Sequence, residues 1–228
     1  MALLKFGAII TDSRGSLGGH SFKWSRYGSV GLHKPQGPRR RTPLQSTVRA
    51  SFEFLSRYWW DSLTPTQRTD WRALAAANPL PNRWGEDFPL TGLAFFLRVN
   101  LRLGRAGAGF MFTAPADQTV DTLTSASIAI TSTPTASLTF GPSPVPTDHV
   151  LVVRASPQLS PGIASAPHRK GFIAAAAATT TSPLNILSAL TAITGTLHAG
   201  RQVFLSASFL SLDTGAASPE IELATLVT

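Results

Sequence analysis

The sequence predicts an α+β protein in three differently built parts: an extended basic N-terminal arm, a small three-helix region and a C-terminal antiparallel β-sandwich. Three observations carry this expectation. All five tryptophans and both tyrosines fall within the first 84 of 228 residues. Charge is divided in the same way: residues 1–109 hold sixteen Lys/Arg against six Asp/Glu, whereas residues 110–228 hold four against six. Hydrophobic periodicity also changes, from helical spacing before residue 104 to short alternating runs cut by prolines after residue 117.

The arm is assigned to residues 1–45. Gly15, Gly18, Gly19, Gly28, Gly31 and Gly37, with Pro35, Pro38 and Pro43, interrupt any helical pattern. Phe22, Trp24, Tyr27, Val30 and Leu32 are nevertheless too apolar for a free tail. Residues 21–26 alternate as a strand does, and Tyr27-Gly28 can turn the chain into a second strand over 29–33. A lone hairpin is marginal in water, so the arm is expected to be ordered by packing on another subunit.

The helical region is assigned to residues 46–103. Val48, Phe52, Leu55 and Trp59 recur at i, i+4, i+7 and i+11 and share one face, which Phe54 and Tyr58 widen. A second helix opens at Thr64-Pro65-Thr66-Gln67. Thr64 is placed to cap, Pro65 suits the first helical position, and Gln67 completes a capping box. Trp71, Leu74 and Ala75 form its apolar face, and Asn78-Pro79 stops it. A third helix follows Thr91-Gly92 with Leu93, Phe96, Leu97 and Leu101 on one side. Gly104, Gly107 and Gly109 end it and make residues 104–116 a linker.

Residues 117–228 are assigned to the β module. Candidate strands are 127–131, 136–140, 149–155, 170–176, 202–209 and 221–227, with Asp213-Thr214-Gly215 as the turn before the last. Evenly spaced short strands with turn signals suggest an immunoglobulin- or fibronectin-like sandwich. One helix is expected from Ser182-Pro183 to Ile193, burying Leu184, Leu187 and Leu190 and closing at Thr194-Gly195.

Composition and motif content exclude more chemistry than they suggest. With no cysteine the chain forms neither a disulfide nor a thiolate metal site. No P-loop, no G-x-S-x-G elbow and no paired His or carboxylate spacing is present. No catalytic, cofactor-binding or metal-binding residue is therefore assigned, and the chain is expected not to be an enzyme. It carries no secretory signal and no membrane-length apolar run, which reads as a soluble chain made in a cytoplasm.

The functional signal is the basic, aromatic segment. Lys23, Trp24, Arg26, Tyr27, Lys34, Arg39, Arg40, Arg41 and Arg49 are the candidate interface or anion-binding residues. Guanidinium groups grip phosphate or carboxylate in fork geometry, and Trp24 and Tyr27 would stack on bases. The reading preferred here is that the arginines pin the arm to an acidic protein surface. Nucleic-acid contact is the alternative, because none of the common binding motifs is present.

The motifs Gly15-Ser16-Leu17-Gly18-Gly19, Phe22-Lys23-Trp24-Ser25-Arg26, Thr42-Pro43-Leu44-Gln45 with Arg49, and Trp59-Trp60 occur in that order. They are followed by Leu63-Thr64-Pro65-Thr66-Gln67-Arg68 with Trp71, then Thr91-Gly92-Leu93-Ala94-Phe95-Phe96 through Asn100. Later come Leu159-Ser160-Pro161-Gly162, the segment 199–204 and the segment 213–218. Taken together they resemble a family of tailed-bacteriophage and prophage virion-associated structural proteins, from whose pattern Arg39-Arg40-Arg41 departs. The resemblance implies a virion location, most simply on the head as a decoration or minor capsid protein or at the head–tail neck. It implies other virion proteins, either major capsid or neck subunits, and copies of the chain itself as partners, with no membrane and no cofactor. A DNA-binding packaging or internal head protein using the basic arm is the alternative.

Overall fold

The computed structural model describes residues 2–3, 15–17, 20–25, 28–33, 43–81, 86–131 and 135–228. The protein is mixed α/β, with four helices and antiparallel sheets among these residues. It divides into two compact units, Met1–Thr47 and Val48–Thr228.

The first unit contains strands β1 (Ala2–Leu3), β2 (Gly15–Leu17), β3 (His20–Ser25) and β4 (Gly28–His33), in the spatial order β1-β4-β3-β2. The expected hairpin is present, with partners running from His20 opposite His33 to Ser25 opposite Gly28. Its two flanking strands are not legible in the sequence, because β1 and β2 have only two and three residues, too few to reveal alternation, and β2 opens with a glycine. Val30 is buried.

Three helices come next in the chain, and from Val48 onward they belong to the second unit. Helix α1 (Pro43–Asp61) is followed by α2 (Pro65–Ala77) and α3 (Gly92–Arg105). The α2 start is the expected capping box: Gln67 N–H donates to Thr64 Oγ1 at 3.2 Å, and Thr64 N–H donates to Gln67 Oε1 at 3.0 Å. Between α2 and α3, β5 (Leu80–Pro81) pairs with β6 (Asp87–Phe88). Leu55, Trp59, Leu63, Trp71, Leu74, Phe95, Phe96, Val99 and Leu103 form one buried cluster. The stripe drawn along α1 is only half buried. Leu55 and Trp59 enter the core, but Val48 is 52% and Phe52 50% exposed.

Residues 104–116 pack against the helical cluster through partly buried Phe110, Met111, Phe112 and Ala114. Asn100 is fully buried and holds the segment from inside α3. Its Nδ2 donates to the carbonyls of Phe96 and Met111, and its Oδ1 accepts from Met111 N–H. Phe110 stacks on Phe54 and Phe112 on Tyr58, and Trp71 Nε1–H donates to the Phe112 carbonyl at 3.1 Å. The glycines that suggest a linker end the helix. The Phe-Met-Phe run behind them is the signal that the segment is pinned.

The β part comprises β7 (Ser125–Thr131), β8 (Thr135–Gly141), β9 (His149–Ala155), β10 (Gly171–Ala176), β11 (Leu184–Asn185), β12 (Gln202–Ser211) and β13 (Ile221–Leu226), with α4 (Leu187–Thr194). They form two antiparallel sheets, β11-β8-β7 and β10-β9-β12-β13. One cluster joins them: Ile130, Leu138 and Phe140 meet Leu151, Val153, Val203, Leu205 and Phe209. The helix expected from Ser182 starts later. Leu184 and Asn185 pair with β8, and Asn185 Oδ1 accepts the Leu187 N–H at 2.9 Å. An Asn side chain that bonds nearby backbone favours a helix start over a helix interior.

Strand β12 is covered on both faces. Val203, Leu205, Ala207 and Phe209 face the other sheet, whereas Leu210 lies in the helical cluster with Val152 of β9 packed beside it. Phe204, on the same side as Leu210, packs with Leu159 and Ala166. Residues 48–103, 104–116 and 117–228 therefore build one layered body in which the four-stranded sheet has the second sheet on one face and helices on part of the other.

Candidate functional site

The candidate residues of the sequence divide sharply. Lys23 is exposed on β3, opposite Val30 in register, and Arg49 is exposed on α1. Trp24 pairs with Ser29 through its backbone. Arg26, Tyr27, Lys34, Arg39, Arg40 and Arg41 lie outside the described residues. Nothing therefore brings these side chains into a single described site.

Two other features of the second unit carry functional information. The first is α1. The apolar stripe that enters the core at Trp59 and Leu55 runs on, without a polar break in that row, to Phe52 and Val48 on the surface. Phe54 and Trp60 on the flanks are also exposed, at 48% and 61%. The hydrophilic side chains between them include Arg49 and the Glu53–Arg57 pair at 2.7 Å.

The second feature is a cleft where α3 meets the turn that follows β12. Asn78, Phe95, Arg98, Arg102, Gln118 and Ala216 are among its lining residues, and this open cleft has a volume of about 180 Å³. Gly215 makes the close approach possible. Its φ of +65° suits glycine, and a Cβ at that position would collide with the Val99 side chain. Gln118, also in the lining, donates from Nε2 to the Thr214 carbonyl at 2.7 Å.

The cleft is electropositive. Arg98 and Arg102 stand at i and i+4 on α3, a spacing that places like charges side by side. Arg98 Nη1 is buried without a hydrogen-bond partner. Burial lowers the pKa of Arg98, and it lowers that of Arg102 to about 10. The charges of Arg98 and Arg154 act on Arg102 in the same direction, while Glu220 opposes them. Glu220 is already engaged, accepting from Arg154 Nη1 at 2.7 Å.

The basic-arm reading of the sequence missed this cleft. The sequence does not set Arg98 and Arg102 apart from the other arginines of residues 1–109, because their enclosure comes from the turn at Gly215. Among the described residues no three His, Asp or Glu side chains are grouped to hold a metal ion, and no helix is long and apolar enough to cross a membrane. No family model, no curated protein and no solved structure matches the chain.

Proposed function

We propose that the chain is a structural component of a tailed-bacteriophage virion, head-associated as a capsid decoration, minor capsid or head–tail neck protein. The observation that carries this reading is the uncovered half of the α1 stripe. Val48 and Phe52 extend a core row into water, and exposed Phe54 and Trp60 flank it. Contiguous apolar surface of this kind marks a contact face, and aromatic side chains are enriched where subunits meet. The motif resemblance across the chain supports the same conclusion. In this reading residues 1–45 act as a basic arm, the α1 face anchors on neighbouring virion subunits, and β7–β13, as an immunoglobulin- or fibronectin-like sandwich, project or pack laterally. The partners are major capsid or neck subunits and further copies of the chain. The reading assigns no reaction and no cofactor.

The test is incorporation. Purified particles are assayed for copies of the chain by quantitative mass spectrometry, using wild type and the double variant Val48→Ser/Phe52→Ser. The expected result is a large loss of incorporation with little change in the melting temperature of the purified chain. Wild-type incorporation of the variant, or absence of the wild-type chain from particles, overturns the reading. DNA retention that falls with salt, with a slope of about −0.9 per phosphate contact, would favour the packaging-protein alternative.

A further inference from the structure

The α3 cleft contains more positive charge than the fold can use. Three guanidinium groups, Arg98, Arg102 and Arg154, interact there or nearby, and Glu220, the carboxylate among the described residues that offsets Arg102, is held by Arg154. Arg98 and Arg102 have neither an ion pair nor a side-chain hydrogen bond to any described residue. A guanidinium on open surface is satisfied by water, but Arg98 Nη1 is shut away from it. Arginine at both positions thus leaves a buried donor unmet and places two like charges one helical turn apart.

We propose that this cleft binds a single oxyanion, a phosphate or carboxylate group, between the side chains of Arg98 and Arg102. An oxyanion accepts several hydrogen bonds at once and matches the guanidinium fork. Bound here it meets the guanidinium edges that line the cleft and replaces the Arg98–Arg102 repulsion with two attractions. The walls favour an anion over a cation. That preference comes from the Arg98 and Arg102 charges, since Gln118 Nε2 and Asn78 Nδ2 already donate to backbone carbonyls, while Phe95 and Ala216 supply apolar wall. The volume of about 180 Å³ leaves room for the group but not for a large cofactor. This site stands independently of whether the chain belongs to a virion.

The test titrates the full-length chain with inorganic phosphate and, separately, with acetate, at constant ionic strength in chloride. Binding is followed by calorimetry and by the arginine Nε–Hε resonances. The expected result is saturation by at least one anion, with two Nε–Hε resonances shifting and both lost from the spectrum of Arg98→Gln/Arg102→Gln. Affinity in that variant should fall about tenfold or more, the loss expected for charged hydrogen bonds. Saturation by phosphate alone identifies a tetrahedral ligand, and saturation by acetate alone identifies a carboxylate; either supports the site. Arg57→Gln, which removes an exposed arginine paired with Glu53, should leave binding unchanged. If the double variant does not fold, Arg98→Lys, which keeps the charge but removes the fork, should weaken binding with the native fluorescence retained. Failure of both anions to saturate at about 10 mM, well above a Kd of about 1 mM, overturns the proposal. Equal weakening by Arg57→Gln and Arg98→Lys also overturns it, since that is nonspecific attraction.

Discussion

Replacing Trp71 with alanine tests how the helices and the sheet are joined. Trp71 is fully buried, lies edge-on to Phe96 with ring centres 5.3 Å apart, and is tilted against Phe95 at 6.4 Å. Truncating a buried aromatic of this size costs about 3–5 kcal/mol in lost burial and cavity formation. Removing Nε1–H also strands the Phe112 carbonyl, which adds about 1 kcal/mol for a partly buried acceptor. The expected loss is about 4–6 kcal/mol, a large share of the roughly 5–15 kcal/mol that stabilises a domain. With a urea dependence of about 2 kcal/mol per molar, the midpoint should fall by about 2–3 M. The assay follows unfolding by tryptophan fluorescence and by far-ultraviolet circular dichroism. All five tryptophans lie between residues 24 and 84, so fluorescence is blind to β7–β13 and circular dichroism is not. Because Leu210 of β12 sits in the Trp71 cluster, both signals should shift together. A sheet signal that keeps its wild-type midpoint while fluorescence collapses would refute the shared core.

Smaller perturbations check individual joints. Thr64→Ala removes the side-chain half of the α2 capping box and should cost about 0.5–2 kcal/mol in a urea melt. Gly215→Ala forces a Cβ into a left-handed backbone and against Val99, and should cost about 2–4 kcal/mol, visible as a lowered melting temperature. Arg102→Met should instead stabilise the chain in chloride at pH 7 by about 1–2 kcal/mol, after allowance for solvent screening. The folded state lowers the pKa of this group, so the charged form is the one that folding disfavours. The burden on wild type is therefore present at neutral pH and is relieved as pH rises through about 10, and the advantage of the methionine variant should shrink over that range, as read from urea midpoints.

The sequence revealed most of the local structure, and the reasons for its failures are physical. Residues 149–155 were legible as a strand because Val150 to Val153 form an unbroken β-branched and aliphatic run, and that run is β9. Thr64-Pro65-Thr66-Gln67 was legible because capping is a local interaction among four residues. Tertiary cover was not. Periodicity places Val48 and Phe52 on the same face as Leu55 and Trp59, but it cannot say where along a helix the neighbours stop. The joining of helices to sheet was also hidden, although Val203-Phe204-Leu205 and Phe209-Leu210 carried its trace. Consecutive apolar residues in a strand mean burial on both faces. Of the candidate site, the Lys/Arg surplus of residues 1–109 was legible, but not which arginines the fold would enclose. Arg98 and Arg102 are indistinguishable from surface arginines until the turn at Gly215 closes over α3.

The two-faced burial of β12 bears on how such a chain can change over time. A recombination junction anywhere between residues 104 and 200 would pair helices from one parent with a β12 from another. Leu210 would then meet a foreign partner surface in a core packed near crystal density. Residues 48–228 should therefore be inherited as one block, tolerating exchange only when Val152, Leu210 and the helical residues they touch travel together.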